Sequence, residues 1–209
     1  MNNTSVIILA AGNAVRFGGK RKQLLPIGTT SILKRVVDQS KENCCCPTVI
    51  AADEEIISAS LSYGAMVYLP YDRRTVCDTA ISTWELWNDR TIILLGDVIY
   101  SDDTVNKIFS YSGDFTVFGN TWEIFAVSFA RNRIGEVCNS LTEGSKHRLG
   151  KLRYMYKHME RLPLDSSEIE GSPPGNNFVY IRDWTKDVDM EVEYTDAMSQ
   201  IVERGLLDV

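Results

Sequence analysis

The sequence predicts an α/β fold in which a mainly parallel sheet is covered by helices on both faces. Three observations carry that expectation. Short, almost wholly apolar runs at residues 6–10, 47–51, 65–69 and 91–95 alternate with stretches of helical period. The runs lack the in-out alternation of a half-solvated strand, as strands buried on two faces do. Right-handed crossovers between such strands place all their carboxyl ends on one edge, where α/β sheets bind ligands, and both Gly12 and Asp97 fall at that edge.

Taken in order, residues 6–10 read as the first buried strand, and Ser31 caps a helix to about residue 39 whose apolar stripe is Ile32, Leu33, Val36 and Val37. A second strand at 47–51, a short helix at 54–62, a third strand at 65–69, a helix at 78–87 and a fourth strand at 91–95 follow, the last closing on Gly96-Asp97. After Ser101 a helix runs to residue 109, and residues 114–118 and 124–129 read as strands, antiparallel at a sheet edge. Helices at 133–141 and 147–159, a polar Pro/Gly/Ser-rich loop at 163–177 acting as a lid or excursion, a last strand at 178–181 and a helix capped by Thr195 and ending at 204 complete the chain.

The 209 residues form one expected domain, 1–209, with 44% hydrophobic and 24% charged residues, as in an ordinary globular protein. A net charge of −6 provides no overall basic field, which disfavours nucleic acid as a partner. No apolar run approaches the ~18 residues of a membrane span, and the opening Met-Asn-Asn-Thr-Ser lacks signal-peptide character, so a cytoplasmic location away from membranes is expected. Five cysteines, with no Cys-x-x-Cys pair, read as reduced thiols, and Cys77 has no neighbouring histidine to make it a nucleophile.

The chemistry concentrates where the first strand empties into a glycine-rich basic stretch. A Walker A loop fails there, since Ala14 and Arg21 occupy positions that need glycine and Ser or Thr. A dinucleotide-binding glycine pattern counted from Gly12 meets Ala14 and Phe17 and fails too. What stands is Leu9-Ala10-Ala11-Gly12, then Arg16-Phe17-Gly18, then Lys22-Gln23-Leu24-Leu25-Pro26-Ile27-Gly28. Small side chains permit close backbone approach, and exposed amides beside cations make an anion site.

These segments resemble the nucleotidyltransferases of the nucleoside-diphosphate-sugar pyrophosphorylase superfamily, with Ala14 standing where that family has glycine. The resemblance implies a three-layer α/β/α Rossmann-like sandwich of the nucleotide-diphospho-sugar transferase type, its sheet mixed at one edge. It implies that Leu9, Ala10, Ala11, Gly12 and Asn13 contact the nucleoside, Arg16 the β- and γ-phosphates, and Lys22, chosen over Lys20 and Arg21 by the Gln-Leu-Leu-Pro that follows, the α-phosphate. Asp97, delivered to the ligand edge by an apolar strand, and Asp189, from Asp187-Val188-Asp189, would hold Mg²⁺. Asp78 or Thr79 either contacts the base or caps a helix.

The implied activity joins a nucleoside triphosphate to a phosphorylated small-molecule acceptor, such as a sugar phosphate or a phosphocholine-like group, with release of pyrophosphate. The short single domain points toward CTP. The acceptor side falls in an elaboration at about 114–180, with Trp122, Glu123, Lys146, Arg148, Asp183 and Trp184 suited to a phosphorylated or zwitterionic molecule, a core or rim role for the two tryptophans standing beside that. Two alternatives stay open: a GT-A type glycosyltransferase, whose Asp-x-Asp motif is expected mid-chain near Asp97, and a non-catalytic nucleotide-binding relative.

Overall fold

The computed structural model describes residues 3–12, 20–43, 46–147, 150–164 and 177–205. Asn13, Arg16 and Arg148, with most of the expected loop at 163–177, lie outside the described residues. The parallel half of the sheet is built from β1 (Thr4–Leu9), β4 (Thr48–Ile50), β5 (Met66–Tyr68) and β6 (Arg90–Leu95). Beyond β6 lie β9 (Ile124–Ala130), antiparallel to it, then β8 (Phe115–Gly119), antiparallel to β9, and β10 (Phe178–Tyr180), parallel to β8. The order is β10-β8-β9-β6-β1-β4-β5. The expected mixed α/β sandwich is therefore present, but its antiparallel strand β9 is interior, and the edge beyond it belongs to β10.

Alternation along each strand sends neighbouring side chains to opposite faces. Val6, Ile8 and Ala10 of the first strand and Ile92 and Leu94 of β6 pack under α1 (Ile32–Asn43), α2 (Glu54–Ser62) and α4 (Asp102–Ser110). Ile7, Leu9 and Ile93 pack against α3 (Val76–Ile81), α5 (Ile134–Ser145) and α6 (Leu152–Met159). Two short ladders complete the fold: β2 (Pro26–Ile27) with β3 (Thr30–Ser31), and β7 (Val98–Ile99) with β11 (Lys186–Asp187). Ile27, Ile99 and Val188 form a small third core under α7 (Glu191–Glu203). No helix among the described residues is long and apolar enough to cross a membrane.

Several expected boundaries move for local reasons. Ser31 does receive the Lys34 N–H, as a cap should. The helix expected at 78–87 begins at Val76, because Thr75 caps it by accepting the Asp78 N–H, and it stops at Ile81, where Ser82 and Thr83 hydroxyls take the Asp78 and Ala80 carbonyls. The helix expected from residue 147 starts at Leu152, because Gly150 adopts φ +48° and breaks the path. Thr195 is no cap: α7 starts four residues earlier, its first turn closed by the Glu193 carboxylate, which accepts the Asp189 and Met190 N–H groups at 2.7 Å each.

The head of β6 is held by a buried tyrosine. Tyr100 Oη accepts the Leu95 N–H at 3.0 Å and donates to the Phe125 carbonyl at 2.6 Å. Tyr100→Phe strands both groups, so unfolding in denaturant should show a loss of about 1–3 kcal/mol.

Candidate active site

The exits of β1 and β6 touch. The Gly96 N–H donates to the Leu9 carbonyl at 2.8 Å, and a side chain at Gly96 would meet that oxygen at 3.0 Å and the Ala10 methyl at 3.1 Å. Gly96 therefore lets β6 hand Asp97 directly to the end of β1. Lys22 arrives from a one-turn 3-10 segment, Lys22–Leu24, whose preceding Arg21 pairs with Asp53, the cap of α2. Tyr194 of α7 secures the following segment by donating to the Pro26 carbonyl at 2.5 Å. Thus braced, Lys22 Nζ lies 2.8 Å from Asp97 Oδ2 and 2.9 Å from Asp189 Oδ1. Burial works against its charge, but Asp97 and then Asp189 outweigh burial and hold the ammonium above lysine's ordinary pKa.

The β7–β11 ladder sets Asp187 opposite Val98, one residue from Asp97, and so brings the late Asp-x-Asp segment to the sheet edge. Carboxylate oxygens of Asp97, Asp187 and Asp189 lie within 4.8 Å of one another. Asp187 Oδ1 is buried and has no hydrogen-bond partner. Burial, then the Asp97 and Asp189 charges, push its pKa well above the usual carboxylate range. Three oxygen donors around a buried, unsatisfied carboxylate oxygen suit a hard divalent cation, so the residues present fit the metal that the motif implied.

Across the floor from Lys22 sits Lys151, its Nζ 2.7 Å from Glu123 Oε1 and 3.9 Å from Asp189 Oδ2. Gly150 positions it: the Gly150 carbonyl accepts the Cys77 N–H at 3.1 Å, and any Cβ there would collide with Thr75. Gly150→Ala combines left-handed strain with overpacking and should lower stability by about 2–4 kcal/mol, read as a lower urea midpoint. The cleft has a volume of about 370 Å³, and Arg73, Arg74 and Arg153 add cations to its wall. Gln23, only 3% exposed, also lines it, with Oε1 unpartnered.

Of the residues singled out from sequence, Leu9, Ala11, Gly12, Lys22, Thr79, Asp97, Glu123 and Asp189 line this one cleft. Ala10 does not: alternation turns its methyl into the core on the other side of the sheet. Asp78 sits in the first turn of α3, its carboxylate accepting the hydroxyl of the capping Thr75 at 2.7 Å, and it does not line the cleft. Three of the acceptor candidates do not line this cleft. Lys146 pairs with Glu143 at 2.5 Å on the surface. Asp183 is taken up by the Ser101 and Thr104 hydroxyls and the Thr185 N–H. Trp184 stacks near Arg35 and packs on the third core. Trp122 lies exposed in the β8–β9 turn, outside the cleft lining. Lys151 and the three arginines carried no motif, although Arg73-Arg74 before a helix start is a visible basic pair.

Residues 6–149 match the model of the MobA-like NTP transferase domain. The chain belongs to that family. Its general chemistry is nucleotidyl transfer. No curated protein matches the chain. Among solved structures it is similar to Rv0371c from Mycobacterium tuberculosis H37Rv, at 18% identity and TM-score 0.65 over 95% of this chain and 98% of that one. It is similar to the CTP:phosphocholine cytidylyltransferase LicC from Streptococcus pneumoniae, at 11% identity and TM-score 0.65, over 96% and 100%. A nucleotidyl transferase from Methanothermobacter aligns at 13% identity and TM-score 0.69, over 98% and 100%. At these identities the likeness is one of fold.

Proposed function

We propose that this family member is a Mg²⁺-dependent nucleotidyltransferase of the cytoplasm, in which a phosphate or phosphonate oxygen of a small acceptor attacks the α-phosphorus of a nucleoside triphosphate and pyrophosphate leaves. The observation that carries the reading is the meeting of Lys22 with Asp97, Asp187 and Asp189 at the touching exits of β1 and β6. Leu9, Ala11 and Gly12 offer the nucleoside a small-residue wall, and a Cβ built at Gly12 meets nothing within 4 Å, so backbone approach there is open. Lys22 supplies positive charge where negative charge develops at the α-phosphorus, and Arg16 answers the β- and γ-phosphates. Asp97, Asp187 and Asp189 would hold the Mg²⁺, which when bound would supply positive charge against the phosphates.

Lys151, Glu123 and Arg153, within the elaboration at about 114–180, form the acceptor side together with Arg73 and Arg74 from the facing wall, and their cations suit a phosphorylated group. Holding both substrates along one floor supplies much of the rate through alignment alone. CTP as donor and a sugar phosphate or phosphocholine-like acceptor are the substrates this reading favours, supported by a fold shared with LicC. The test incubates the protein with each nucleoside triphosphate, Mg²⁺ and a panel of phosphorylated acceptors. Acceptor-dependent pyrophosphate is the expected product. Nucleoside diphosphate released from sugar nucleotides, or tight nucleotide binding with no pyrophosphate from any pair, overturns the reading.

A further inference from the structure

We infer that Lys22 is a built-in competitor of the cation at Asp97, Asp187 and Asp189, so that the metal and the triphosphate each bind better once the other has moved this one side chain. The inference rests on reading the three carboxylates as a divalent-cation site. Lys22 Nζ lies 2.8 Å from Asp97 Oδ2 and 2.9 Å from Asp189 Oδ1, two members of a cluster whose oxygens lie within 4.8 Å of one another. A Mg²⁺ ion bonds such oxygens at about 2.0–2.1 Å in a near-rigid octahedron. An ammonium already bonded to the same two carboxylates stands where that ion's shell must form, and two cations do not share so small a space.

One charge also serves the site incompletely. The ammonium leaves Asp187 Oδ1 buried and without a partner, whereas a divalent ion brings two charges and further coordination to the same three carboxylates. Lys22 therefore yields to the metal, and the side chain, braced at its root by the Arg21–Asp53 pair, turns toward the cleft it already lines. Phosphate oxygens in that cleft draw Lys22 off the carboxylates in the same direction. Linkage makes the effect reciprocal: triphosphate strengthens metal binding by the same factor by which metal strengthens triphosphate binding. The lysine thereby biases the site toward filling with both ligands together.

The experiment titrates chelator-treated, nucleotide-free protein with Mn²⁺ and follows free Mn²⁺ by electron paramagnetic resonance. Lys22→Met is expected to bind Mn²⁺ at least about ten-fold more tightly than the unmutated chain, and adding Asp187→Asn to it should remove the gain. Lys151→Met deletes a cation whose main partner is Glu123, and is expected to change Mn²⁺ affinity by no more than about three-fold. Unchanged or weaker binding by Lys22→Met, or equal gains in both lysine variants, overturns the exchange while leaving the metal site standing. No Mn²⁺ bound by any form overturns the exchange and the metal site together. Lysine-selective ¹³C spectra of the unmutated protein give an independent check. A side-chain resonance that shifts when Mg²⁺ is added supports the exchange, and lysine resonances indifferent to Mg²⁺ overturn it.

Discussion

Lys22→Met is expected to lower kcat by about 10²–10³-fold while circular dichroism shows an intact fold. The size follows from placement: the ammonium is mostly buried, with its side chain 12% exposed, and it is bonded to two carboxylates at the junction of β1 and β6. A charge held in such a place acts through a lower effective dielectric than the same charge in water. The loss should fall on kcat more than on the KM for nucleotide, since the role proposed for Lys22 is to answer charge that grows during the reaction. The comparison that decides it is Lys20→Met, because Lys20 is exposed and shares no bond with the carboxylates. A Lys22→Met protein with undiminished turnover, or an equal loss from Lys20→Met, would remove Lys22 from the chemistry.

Asp187→Asn is expected to separate stability from activity. Asp187 has its pKa raised in the folded chain, so the native state keeps a proton that the unfolded chain has given up. As pH rises through and above the ordinary carboxylate range, the unfolded chain ionises first and metal-free stability falls. The decline continues to the folded pKa and the deficit persists above it. Asparagine carries no such charge, so in chelator at neutral pH Asp187→Asn should melt at a higher temperature than the unmutated protein, and its melting temperature should fall less as pH rises. Turnover should nevertheless drop by about two orders of magnitude or more, the rate equivalent of the several kcal/mol a metal supplies. A variant that is both less stable in chelator and fully active would contradict the assignment of Asp187.

The parts of this molecule that were legible in its sequence are those set by local rules. β1 and β6 are apolar on both faces and run into the small residues Ala10 and Gly96, so strand rules alone place Gly12 and Asp97 on one edge, while Leu9 and Ala11 come with the family resemblance. Ala10 shows where that reasoning needed one further step, since period-two alternation already assigns its methyl to the opposite face from Leu9 and Ala11. Lys151 was not legible: its place depends on Gly150 seated against Thr75, a contact between distant segments that no spacing encodes. Asp183 lies away from the cleft for the opposite reason. Its residue type fits a binding site, but two hydroxyls and an N–H near the start of α4 consume its carboxylate. The start of α7 was misplaced because its first turn is closed by Glu193 from within the helix, a few residues upstream of the threonine that looked like a cap.

The two-residue ladder between β7 and β11 has a consequence for how the protein is made. Lys22 and Asp189 meet across 167 residues of chain, and Asp187 joins Asp97 only when that short antiparallel pair closes. Closing so long a loop is entropically costly and comes late relative to local pairing. A nascent chain that has not yet emerged past this point carries β1, β4, β5 and β6 but only one of the three carboxylates, so the proposed cation site is expected to be complete only once the last part of the chain has been made.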